Sequence, residues 1–138
     1  MQEMSMPLVL PETSSGSLGD LPGRQASADP GRVTFSVRSG AGWTDVTAAT
    51  FAADVAALAK GLIAAGIGSG ESVAIMSRTR YEWTVADFAL WSAGAVPVPI
   101  YETSSPDQVE WILADSGAVG VIVEDAAHLA AVEASRSR

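Results

Sequence analysis

The stretch Gly66-Ile67-Gly68-Ser69-Gly70 comes nearest in this sequence to a phosphate-binding loop. A phosphate cradle lies after a strand and before a helix, so that backbone amides and the positive end of the helix dipole meet the anion. Here the expected order is the reverse, helix first and strand second, so the glycines read as a helix stop and a turn. Lys60, the single lysine, falls inside the preceding helix and reads as a solvated helix position. His128, the single histidine, could serve as a general base. No Ser or Cys nucleophile in a defined motif accompanies it, which favours a place on a surface helix. Glu124-Asp125, and Asp107 with Glu110, could do acid–base work, but they stand at expected helix starts, where acids complement the dipole. The loop Tyr101-Glu102-Thr103-Ser104-Ser105 follows the carboxyl end of an expected parallel strand, where open α/β sheets collect ligand groups. Its hydroxyls serve equally well as caps for the next helix, and both readings stand.

Residues 71–123 would position these groups. An apolar run at 72–76, helical spacing over 81–93, a β-branched run at 96–100, a helix over 106–116 and a run at 119–123 alternate as βαβαβ. That pattern calls for a parallel sheet with right-handed crossovers and covering helices, an α/β fold. Upstream, Val33, Phe35 and Val37 alternate with polar residues, and Ser39-Gly40-Ala41-Gly42 permits a turn into residues 43–46, which predicts a β-hairpin. Thr47 caps a helix whose Phe51, Val55, Leu58 and Leu62 share one face, expected to pack on the sheet. Thr79 to Glu82 fits a capping box, with Trp83, Ala86 and Leu90 as the inner stripe of the helix behind it. Ser105-Pro106-Asp107-Gln108 is a fuller helix start, Gly94 and Gly117 are stops, and Asp125 caps a last helix carrying Leu129 and Val132. Pro97 and Pro99 put two missing amides on the same side of one strand, so one flank of it should be a sheet edge, a bulge or a short pairing. Residues 1–30, rich in Pro, Gly, Ser and acids, read as a flexible leader, and 31–138 as the α/β unit.

Composition narrows the partners. A formal charge of −8 without clustered Lys or Arg disfavours nucleic acid. With no cysteine and one histidine, disulfides and thiolate or His-rich metal sites are excluded. Acids and Lys60 interrupt every apolar window, so no transmembrane segment is expected. Met1-Gln2-Glu3-Met4 lacks the order of a secretory signal, which points to the cytoplasm.

Three segments carry a likeness to a known family. They are Glu71-Ser72-Val73-Ala74-Ile75-Met76-Ser77-Arg78 with Glu82-Trp83, then Ala93-Gly94-Ala95-Val96-Pro97-Val98-Pro99-Ile100-Tyr101-Glu102-Thr103-Ser104-Ser105, then residues 108–118. These, with residues 43–47 and 59–66 upstream, resemble the N-terminal part of AMP-forming acyl-CoA synthetases over roughly residues 31–132. The Pro-Ile-Tyr-Glu-Thr-Ser-Ser wording is similar to the long-chain fatty acyl branch rather than to peptide-synthetase adenylation domains. The resemblance implies a full-length ligase that uses ATP, Mg²⁺ and coenzyme A to convert a fatty acid to acyl-CoA through an acyl-adenylate, cytoplasmic or seated peripherally on a membrane. The family's Ser/Thr/Gly-rich phosphate loop ending in Pro-Lys-Gly, its later ATP motifs and its C-terminal lysine have no counterpart in these 138 residues. No catalytic, cofactor-binding or metal-ligating residue is therefore carried onto a position here. The expectation is a fragment of the ligase, inactive alone, binding no cofactor by itself and prone to self-association through uncovered apolar surface. The competing reading is a non-catalytic α/β interaction or binding module.

Overall fold

The computed structural model of the chain describes residues 16–136. Its centre is a three-stranded parallel sheet of β3 (Ser72–Met76), β4 (Val96–Ile100) and β5 (Gly120–Val123), in the order β4-β3-β5. The short apolar run of β3 is the inner strand, and Val73, Ala74, Ile75 and Met76 are all fully buried. α3 (Tyr81–Ser92) connects β3 to β4, and α4 (Pro106–Ser116) connects β4 to β5. α5 (Ala126–Arg136) follows β5.

β4 is an edge strand, as its prolines require. Val96 donates its amide to the Glu71 carbonyl at 2.8 Å, and the pairing continues in register from Ser72 with Val96 to Met76 with Ile100. Alternation then turns residues 98 and 100 toward β3 and leaves Pro97 and Pro99 facing the open side, where no amide is needed.

The helix ends follow local chemistry. Thr47 Oγ1 accepts from the Thr50 amide at 3.2 Å and starts α2 (Ala48–Ala64). Ser105 and Gln108 form the reciprocal capping box of α4, with bonds of 3.3 and 2.9 Å, and Gly117 ends that helix with φ +61°. Asp125 Oδ1 accepts from the amides of Ala127 and His128 at 2.9 and 3.0 Å and starts α5. Thr79 does not cap α3. The residue before that helix is Arg80, in extended backbone, and Glu82 turns to the Arg80 guanidinium instead of reaching back to an amide.

The upstream half forms a second layer. β1 (Val33–Ser39) and β2 (Gly42–Thr47) make the antiparallel hairpin, with a register slip between Val33 and Phe35. The slip breaks the expected alternation: Phe35 and Val37 are half-buried, while Val33 is 51 % exposed. α2 does not lie on the sheet as its apolar face suggested. It packs on α3 and the hairpin, and only Leu58 and Leu62 reach the cluster above β3. Phe35, Phe51, Tyr81, Phe88 and Trp91 form the seam through successive edge-to-face contacts with centroids 4.9 to 5.5 Å apart.

Within the stretch read as a flexible leader, residues 18–28 are helical. A 3-10 turn at Leu18–Asp20 leads into α1 (Leu21–Ala28), which packs on α2. Gly19 presses on the end of α3, where a Cβ would lie 2.9 Å from the Trp91 carbonyl, and Ser92 Oγ donates to the Gly19 carbonyl at 3.0 Å. The first fifteen residues of that stretch lie outside the described residues.

Candidate functional site

The carboxyl ends of the three parallel strands open onto the segments 77–80, 101–105 and 124–125. Open α/β sheets place ligands at this end, because each strand there hands its chain to a loop and a helix N-terminus. Its organising group is Glu124, one residue beyond β5, whose side chain is only 4 % exposed. Arg78 donates to it from its backbone amide at 2.9 Å and from its guanidinium Nη2 at 2.5 Å, and Arg80 adds Nη1 at 3.1 Å. Ser77 Oγ donates to the same carboxylate at 3.3 Å, and Arg80 Nε turns to Glu82 at 2.6 Å. The Arg78 hydrogen bonds, seconded by Arg80, hold the Glu124 carboxyl down to about 2. Both arginines rise above their ordinary value, Arg78 through its hydrogen bonds to Glu124 and Arg80 through its bond to Glu82 first and to Glu124 second.

Two cavities flank this clamp. One, of about 200 Å³, lies between α3 and the ends of β3 and β5, among Ile75, Ala86 and Ile122 with Arg80, Glu82 and Glu124 at its rim. The other, of about 260 Å³, is bounded by Ser77, Thr79, Pro99, Ile100 and Tyr101. Trp83 is a wall of both and is half-buried, not the fully packed inner-stripe residue its spacing suggested; Ala86 and Leu90 fill that role. Four charges of the clamp cancel, two guanidiniums against Glu82 and Glu124, and Glu102 and Asp125 add negative field around Arg78. The clamp therefore offers no net positive charge to a triphosphate. It can fix the relative height of the β3 and β5 ends, and the cavities beside it can take apolar groups.

The remaining sequence candidates scatter. Gly66 and Gly70 have φ +95° and +82°, and Gly68 N–H donates to Glu71 Oε2 at 2.7 Å, so the glycine stretch is a helix stop and a turn. It lies at the amino end of β3, away from the strand ends. Lys60 is exposed on α2. His128 is less exposed than a surface helix suggests: its ring folds back to place Nδ1 2.7 Å from Asp125 Oδ1, and its side chain is 13 % exposed. The Asp125 carboxyl is held below the usual range by the His128 amide and ring. Among the described residues no hydroxyl is hydrogen-bonded to that ring, so the pair lacks a nucleophile. In the 101–105 loop, Ser105 caps α4, whereas Tyr101 is 84 % exposed at the cavity mouth. Glu102, Thr103 and Ser104 are not gathered onto either cavity. No group of His, Asp and Glu among the described residues could hold a metal ion.

Sequence reasoning misses the clamp. It accounts for Glu124 as a helix-start acid, but Asp125 alone does the capping, while Glu124 pairs with arginines 44 and 46 positions away. The available signal is the position of Arg78 and Glu124 just beyond the ends of two strands that the βαβαβ pattern makes neighbours.

The family of AMP-binding enzymes matches residues 23–138. The chain is 41 % identical over 128 residues to the long-chain-fatty-acid–CoA ligase FadD15 of Mycobacterium tuberculosis, covering 93 % of this chain and 21 % of that protein. It is 37 % identical over 121 residues to a feruloyl-CoA synthase of Amycolatopsis, across 86 % of this chain and 24 % of the other. Among solved structures, the N-terminal domain of FACL13 from Mycobacterium tuberculosis superposes with a TM-score of 0.78 at 26 % identity, over 90 % of this chain and 31 % of that one. The sheet and its layers are thus a partial N-terminal region of the adenylate-forming fold. The chain spans about a fifth of the length of the FadD15 protein it matches. It belongs to the AMP-binding enzyme family.

Proposed function

We propose that this chain is the N-terminal α/β part of a long-chain fatty-acid–CoA ligase. The whole enzyme would join a fatty carboxylate to the α-phosphate of ATP with release of pyrophosphate, then pass the acyl group from the adenylate to the thiol of coenzyme A with release of AMP. Mg²⁺ would accompany the ATP, and the enzyme would work in the cytoplasm or at a membrane surface. Among the described residues no helix is long and apolar enough to cross a membrane. The observation that carries this reading is the 41 % identity to FadD15 spread over 93 % of the chain. The clamped carboxyl end of the sheet supports it by giving the segments after β3, β4 and β5 fixed starting points.

The role for these residues is scaffolding. Adenylation needs amides and cations arranged around the triphosphate. Here the two arginines nearest the strand ends are already held by Glu124. The test is a chimera in which residues 16–136 replace the matching segment of Mycobacterium tuberculosis FadD15, assayed for palmitoyl-CoA formation. Retained activity is expected; a folded chimera without it would count against the assignment. The 138-residue chain alone is expected to give no palmitate-dependent release of pyrophosphate from Mg²⁺·ATP.

A further inference from the structure

Asp87, in the middle of α3, is 9 % exposed, and no other charged residue among the described residues is buried as a whole. The enclosed carboxylate of Glu124 receives two arginines, whereas that of Asp87 receives no hydrogen bond and no ion pair among the described residues. Burial is the one influence on it, and pushes its carboxyl up. No fully enclosed side-chain oxygen among the described residues lacks a partner, so the unbonded Asp87 carboxylate keeps a narrow opening to the outside. Helix geometry places that opening. α3 turns Val85 and Ala89 to α2, and Ala86 and Leu90 to β3. Asp87 belongs to neither stripe; it shares a third with Trp83 and Trp91, one turn before and one turn after it, both half-buried.

We propose that Asp87 is the anchor for a cationic side chain supplied by the rest of the ligase, which enters along the Trp83–Asp87–Trp91 stripe and neutralises the carboxylate in the whole enzyme. The inference rests on the ligase reading, in which this chain makes up about a fifth of the protein. An ionised carboxylate held away from water without a partner costs free energy that an apolar residue at the same place would not. The groups in hand do not offset it. Lys60 and the arginines at 24, 32, 38, 78 and 80 exert no pull on Asp87, and residues 1–15 contain no Lys or Arg. An arginine suits the place best, because a guanidinium is flat and weakly hydrated, can lie against tryptophan rings and can donate two bonds to one carboxylate. Pairing would reverse the effect of burial, holding below its ordinary range a carboxyl that burial alone pushes up.

The test makes one substitution in two settings. Asp87→Asn keeps the shape of the side chain and removes its charge. In the 138-residue chain at neutral pH it should raise the urea midpoint, because an unpaired buried charge is lost. In the FadD15 chimera carrying residues 16–136 it should lower the midpoint, because the partner cation is left unpaired. A second measurement leaves the sequence intact. The Asp87 carboxyl carbon, assigned by its absence from the spectrum of Asp87→Asn, should titrate above the ordinary carboxylate range in the chain and below it in the chimera. A substitution that stabilises both proteins would overturn the proposal. So would a carboxyl that titrates above the ordinary range in both. Neither readout uses activity: a folded chimera that forms no palmitoyl-CoA counts against the ligase assignment, while the sign of the effect at Asp87 still decides whether the anchor is occupied.

Discussion

The two faces of the parallel sheet are covered in different ways. On one, α3 is sandwiched: Ala86 and Leu90 press on β3, while Val85 and Ala89 press on α2. Five aromatic rings continue that packing into the hairpin. On the other, α4 and α5 form a single layer; α4 buries only Val109 fully and leaves Trp111 66 % exposed. A helix packed on two sides has no solvent stripe to reveal its orientation, whereas a helix packed on one side does. The first face should therefore tolerate truncation least.

Phe51→Ala tests this most severely. Phe51 is 3 % exposed and touches Phe35, Tyr81 and Phe88, so truncation should cost about 3–5 kcal/mol in urea unfolding. On the single-layer face the strongest counterpart is Val109, with no exposed surface. Val109→Ala removes two methyl carbons and leaves a cavity, which should cost about 2 kcal/mol. Equal losses at the two positions would mean that the second layer adds nothing.

Much of this asymmetry is hidden in the sequence. Caps and stops are legible because their chemistry is local: Thr47, the Ser105–Gln108 box, Asp125, and the left-handed glycines 94 and 117 all act as their types demand. Pro97 and Pro99 mark β4 as an edge for the same reason. What is not legible depends on partners distant in sequence. α1 contains Pro22 and Gly23 and is held by its contacts with α2, and by the approach of Gly19 to Trp91, rather than by helix propensity. The Val33–Phe35 slip shifts which strand residues face inward, and no periodicity announces a bulge. The apolar face of α2 shows that it packs, not against what. Arg78 and Glu124 are separated by 46 positions and meet only because β3 and β5 are adjacent.

That clamp joins the two faces, since Arg80 leads into α3 and Glu124 leads into α5. Its contribution should depend on pH with a definite sign. The Glu124 carboxyl is held at about 2, below an ordinary value near 4.5, so its stabilisation is complete above about 4.5 and is lost as pH falls toward 2. Glu124→Gln should be less stable than the parent at neutral pH, and the gap should close across that window. Asp87 runs the other way, because burial raises its carboxyl and disfavours the ionised form in the fold. A gap between parent and Glu124→Gln that stays constant from pH 7 to pH 2 would show that the glutamine variant loses packing rather than the charge-assisted bonds.

The smallest effect is expected at Trp111, and it sharpens the comparison because a large aromatic residue ordinarily dominates the packing around it. Trp111 lies on α4, two residues beyond Val109, and at 3.6 residues per turn that separation carries it to the opposite side of the helix, away from β4 and β5. Its exposure leaves little area to lose, so Trp111→Ala should change unfolding free energy by no more than about 0.5 kcal/mol. A loss at Trp111 comparable with that at Val109 would mean that α4 is packed on both sides as α3 is.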